Sequence, residues 1–110
     1  MASAYKILGQ GAPTNTSNLD IITVSAGQSE VVSTLVICNT TATAATARVF
    51  ARIAGAAAAA SNAIVYDASI AGNTSTTLTL GITIAATDVL TVRSGTANAL
   101  TFTAFGSEIS

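Results

Sequence analysis

The stretch "TARVFARIAGAAAAASNAIVYDASI", residues 46–70, decides between a helical and a β reading of this chain. At its centre lie five alanines, Ala56 to Ala60, and alanine is the strongest helix former. The flanks point the other way. Before the run, Ala47, Val49, Ala51 and Ile53 alternate with Arg48, Phe50 and Arg52, the period of two of a half-buried strand. After it, "NAIVYDA" is rich in β-branched and aromatic residues, which favour strands. No apolar stripe at helical spacing continues on either side, and isolated helices shorter than ~12–15 residues are marginal. A membrane span needs ~20 mostly apolar residues, and Arg52, Asn62 and Asp67 interrupt this one. The alanines therefore read as a loop between two strands, with room for one short helical turn. Gly55 and the Ser61-Asn62 pair are its turn residues. Such small side chains would let the loop lie flat against a neighbouring subunit.

The same alternation recurs along the chain. "AYKIL" puts Tyr5 and Ile7 on one face. "LDIITV" follows a polar loop after Pro13. "EVVSTLVICN" is the longest apolar run, and its two apolar faces predict a central strand. In it, Val32, Thr34, Val36 and Cys38 alternate with Val31, Ser33, Leu35 and Ile37. "TARVFARIA" and "AIVYD" flank the alanine loop. In "TSTTLTLGITI", Leu78, Leu80, Ile82 and Ile84 line one face and Thr77, Thr79 and Thr83 the other. Gly81 within it predicts a bulge or a close backbone approach. "DVLTVRS" and "ALTFTAFG" complete eight candidate strands. Short strands separated by turn residues predict an all-β fold, a single small antiparallel β-sandwich, jelly-roll-like. Residues 1–18 are expected to form an N-terminal strand or arm and residues 19–110 the sandwich domain.

Composition narrows the function. Half of the 110 residues are hydrophobic but only 8% are charged, against ~25% in ordinary soluble proteins. Interface cores are depleted in charge, so self-association, as a homotrimer, is expected. Four basic residues scattered over a chain of net charge −1 offer no phosphate-binding patch, so nucleic acid is not an expected partner. Nor is a membrane, because no basic amphipathic helix is present. "MASAYKILGQ" lacks the long apolar core of a signal peptide, which predicts a chain made in a cytoplasm. Cys38 is the single cysteine and reads as a small buried hydrophobe.

The catalytic inventory is thin. Without histidine there is no Ser-His-Asp triad, and one cysteine leaves no zinc site. No enzyme activity, cofactor or metal is expected. Asp67 and Asp88 could pair as carboxylates, but each reads better as a turn cap at a strand end. The suggestive cluster is Arg48, Phe50 and Arg52. Two arginines around an aromatic can hold carboxylates or sugars or anchor a protein interface. Equally, arginine stems can simply cover an aromatic ring. With Ala56, Ala58 and Ala60 they make up the candidate interface. A carbohydrate groove would require several of Tyr5, Phe50, Tyr66, Phe102 and Phe105 to converge on the surface.

"AYKILGQ", "VVSTLVICN", "IVYDASIAGNTSTTLTLGITIAATDVLTV" and "FTAFGSEI" together resemble a family of small bacteriophage virion proteins, common in phages of cyanobacteria and other aquatic bacteria. The family often carries larger aromatic or charged residues where this chain has "AAAAASNA". The resemblance implies a non-enzymatic structural protein of the virion, synthesised in the bacterial host cytoplasm. It implies a capsid decoration or cement protein touching major capsid or tail proteins. The alternatives are a tail, neck or fibre component, or a carbohydrate-binding host-attachment module.

Overall fold

The computed structural model describes residues 3–79 and 81–110. Nine strands follow one another: β1 (Ser3–Gly11), β2 (Leu19–Thr23), β3 (Ser29–Asn39), β4 (Ala45–Arg52), β5 (Ala63–Ile70), β6 (Ser75–Leu78), β7 (Ile82–Ala85), β8 (Val89–Ser94) and β9 (Leu100–Ile109). There is no α-helix among the described residues. Two single 3-10 turns, Ile53–Gly55 and Ala60–Asn62, bracket the alanine loop.

The strands form two sheets. In sheet A the order is β1-β9-β3-β6, with β7 also pairing with β3, and in sheet B it is β2-β8-β4-β5. Every pairing is antiparallel. The sheets pack into a sandwich-like body measuring 44 × 27 × 20 Å. Its core holds Val32, Leu35 and Ile37 from β3, Val49 from β4, Leu90 and Val92 from β8, and Leu100 and Phe102 from β9. Ala45, Ala47, Ala99 and Ala104 fill in among them. Each large side chain so buried stabilises the fold by ~1.5–3 kcal/mol.

Strand β3 is central in sheet A, as its apolar faces require, but its alternation is broken. Val32 pairs with Gly106 and Thr34 with Phe105, which leaves Ser33 as the extra residue of a bulge. Glu30 and Val32 point inward before it, and Leu35, Ile37 and Asn39 after it. Unbroken alternation would have put Val32 on one face with Thr34 and Cys38. Gly106 fits this level because a Cβ there would collide with the Val31 carbonyl.

The run "TSTTLTLGITI" is two strands rather than one, which makes nine where the sequence suggested eight. Its halves pair with different parts of β3: Ser75–Leu78 with residues 35–38, and Ile82–Ala85 with residues 29–32. Gly81, at φ +62°, makes the break. A side-chain-bearing residue would be strained there. The break faces the Ser33 bulge, and β1 shifts register at Leu8 on the same level. Sheet A is thus interrupted along one transverse line. The expected faces of the run survive: Ile84 is buried, Leu78 and Ile82 pack on the core, and Thr77, Thr79 and Thr83 are exposed. Leu80 lies outside the described residues.

Two local expectations are corrected. Ile53 does not continue the inward face of β4 but is 78% exposed. The strand ends at Arg52 and the chain turns through Ala54, in the left-handed region at φ 51°. Asp67 caps no turn. Strand β5 runs through it to Ile70, and the polypeptide bulges there instead.

Candidate functional site

The outer face of sheet B carries the chain's arginines. On β4, Arg48, Phe50 and Arg52 share this face, as their spacing predicts. The β4–β5 pairing runs Ala47 with Ala68, then Val49 with Val65. Tyr66 and Asp67 therefore both lie opposite Arg48, and Asp67 takes a left-handed backbone at φ 56°. This bulge re-aims two side chains onto one guanidinium. Asp67 accepts from Arg48 Nε at 2.7 Å and Nη2 at 3.1 Å, and the Tyr66 ring centroid lies 4.1 Å from Arg48 Cζ. The Arg48 hydrogen bonds hold the Asp67 carboxyl below its ordinary value, with the fields of Arg48 and Arg93 adding to the effect.

Arg52 is committed as well. Its guanidinium donates to the Ala56 carbonyl at 2.6 Å, the Gly55 carbonyl at 3.0 Å, Asp20 Oδ1 at 2.9 Å and Thr91 Oγ1 at 3.1 Å. It ties the start of the alanine loop to sheet B. Asp88 takes the backbone N–H of Ala54 and Ala85, both at 2.9 Å. It caps the β7–β8 turn as expected and anchors the loop too, and these backbone bonds lower its carboxyl pKa. Asn62 closes the far end through the Ala57 carbonyl and the Ala59 N–H. Ala56 and Ala60 are exposed on this loop and Ala58 is half-buried. Phe50 is only 3% exposed and offers no ring to a partner.

Register adds Arg93, which no motif or spacing in the sequence singles out. It sits on β8 directly opposite Arg48. Arg48, Arg93, Asp67, Thr16, Thr46 and Gly95 line a cleft of about 270 Å³. Asp67 and Asp88 are not a carboxylate pair, because each is engaged with separate partners.

The outer face of sheet A is different. Tyr5 is 89% exposed, and Ile7 and Phe105 are exposed beside it. Ile7 and Phe105 are direct cross-strand partners, and with Tyr5, Lys6, Ser33 and Gly106 they border one shallow depression. Of the five aromatics that could have formed a groove, Tyr5 and Phe105 meet here. Phe50 and Phe102 are buried, and Tyr66 belongs to sheet B.

The inner face of sheet A carries one acid out of place. Glu30 is buried, pairs across the strands with Glu108 and Ile84, and has an Oε1 without a hydrogen-bond partner. Burial, then the neighbouring Glu108, push its pKa up, while Lys6 opposes them. Lys6 itself pairs with Glu108 at 3.0 Å. Cys38 is a free, half-buried thiol. No group of three or more acidic, cysteine or histidine side chains gathers as a metal site among the described residues.

No protein-family model matches this chain, and no curated protein or solved structure matches it.

Proposed function

We propose that this chain is a non-enzymatic building block of a bacteriophage particle, a capsid decoration protein that acts by repeated contacts with copies of itself. The observation that carries this reading is the bare apolar face of Tyr5, Ile7 and Phe105 on sheet A. An exposed apolar surface of this kind marks a protein contact. A second copy is the occupant that the charges favour. Lys6 at the rim is already neutralised by Glu108, so nothing there selects a basic or an acidic partner. The free edge of β1 runs beside the patch and offers unpaired backbone groups, the liability that association covers. The expected product is a homotrimer or ring. The resemblance to phage virion proteins supplies the particle, with a tail, neck or fibre position as the alternative to the capsid.

The winding supports the same reading. In chain order the sheets are 1-9-3-(6,7) and 2-8-4-5, an order that supports the jelly-roll reading, and jelly rolls serve as viral capsid and lectin domains.

Light scattering tests the assembly. A mass of three or more chains, falling on dilution, is expected, and a concentration-independent monomer would overturn self-association. Density-gradient-purified virions test the particle. The chain should co-purify at a fixed stoichiometry, and recovery only from the unassembled fraction overturns the assignment.

A further inference from the structure

We propose that the cleft between β4, β5 and β8 binds a small carboxylate-bearing, hydroxyl-rich molecule, the chemistry of a single acidic sugar residue. Arg48 and Arg93 stand directly opposite each other on neighbouring strands, and like charges so placed repel. Asp67 compensates one of them by a two-point ion pair. Arg93 makes no side-chain hydrogen bond or ion pair among the described residues. The cleft therefore holds two guanidinium groups against one carboxylate, with one positive charge left over. A planar carboxylate is the ligand that a free guanidinium fork matches best, because it can accept two parallel hydrogen bonds.

The remaining lining says what the carboxylate should be attached to. Thr16 and Thr46 bring hydroxyls, and Asp67 brings acceptor oxygens. These pair with the hydroxyls of a sugar and have nothing to offer a bare acetate. A volume of about 270 Å³ lies just below the ~300–1,000 Å³ of ordinary ligand pockets, which limits the occupant to one ring. The site is also built. The Tyr66–Asp67 bulge and the ring stacked against Arg48 fix one wall, and such bulges re-aim side chains beside functional sites. Fixing Arg48 in this way leaves Arg93 to the ligand.

The experiment is a titration of the wild-type protein with glucuronate, glucose and acetate, followed by amide chemical shifts and calorimetry. Glucuronate is expected to bind ~tenfold more tightly than either acetate or glucose, with the largest shifts at Thr46, Arg93 and Gly95, and more weakly as salt is raised. Arg93→Gln should lose this binding while melting no lower than wild type, since it removes a like-charge pair. Arg93→Lys, which keeps the charge without the fork, should also bind less. Three results would each overturn the proposal: no saturable response to glucuronate, equal responses to acetate and glucuronate, or undiminished binding by Arg93→Gln.

Discussion

The outer faces of the two sheets have been treated in opposite ways. Sheet B gathers Arg48, Arg52 and Arg93, stacks one guanidinium on Tyr66, buries Phe50 and straps the alanine loop down through Arg52 and Asp88. Sheet A gathers Tyr5, Ile7 and Phe105 and leaves all three exposed, Tyr5 most and Phe105 least. A chain with nine charged residues in 110 has few to place, and it places three of its four cations on one side. The face that looks eventful in sequence is largely closed by its own contacts. The face that looks plain is the one whose large apolar side chains stay exposed.

The largest difference between the faces is expected at two phenylalanines of one strand. Phe102 is fully buried and Phe105 exposed, because three positions along a strand reverse the face. Phe102→Ala should cost ~3–5 kcal/mol in urea unfolding, and Phe105→Ser, at a site 38% exposed, should cost well under half of that. Comparable losses at both would mean that the outer face of sheet A belongs to the domain's own core. Next comes Arg52→Ala, which removes the strap from the alanine loop. A loss of ~1–2 kcal/mol is expected, with faster hydrogen exchange at Ala54 and Ala56.

Acid titration separates buried Glu30 from the two aspartates by sign. Glu30 on sheet A has a raised pKa, so its neutral form suits the fold. Its contribution is complete below the ordinary value near 4.5 and is lost as pH rises through the higher folded value. Asp67 and Asp88 have lowered pKa values. Their contributions are present above the ordinary value near 3.8 and are lost as pH falls through the lower folded values. Glu30→Gln should therefore raise the melting temperature at pH 7, by a margin that shrinks towards pH 4. A margin that grows on acidification would contradict this sign. The smallest effect is expected from Ala58→Glu on the loop. Its melting should change within ~0.5 kcal/mol, and a larger fall would show that the alanines are packed into the domain.

Much of the architecture was legible because it rests on alternation. The β reading of residues 46–70, the centrality of "EVVSTLVICN" and the shared face of Arg48, Phe50 and Arg52 follow from a period of two. The failures occur where that period is interrupted. Ser33 shifts the phase of β3, Gly81 cuts one apparent strand into two, and Ala54 turns Ile53 out to solvent. The Tyr66–Asp67 bulge turned an apparent turn cap into an ion-pair partner. A bulge is a property of two paired strands, and one strand's sequence does not carry it. The candidate cleft was half visible for the same reason. Arg48 stood out from its neighbours on β4, whereas Arg93 becomes its partner only through the β4–β8 register. Nothing in "EVVSTLVICN" announces that Glu30 is buried, since a charged residue at a strand start ordinarily faces water.

The proposed contact between copies of this chain is the outer face of sheet A. It is tested most directly by sedimentation of the wild type beside Tyr5→Ser/Phe105→Ser and Ala58→Glu, across a hundredfold range of concentration (~100-fold, enough to span two decades of dissociation constant). The wild type and Ala58→Glu are expected to associate alike, and the sheet A variant to stay a folded monomer throughout. A sheet A variant that associates as well as the wild type, or an Ala58→Glu protein that alone becomes monomeric, would contradict it and move the contact to the alanine loop.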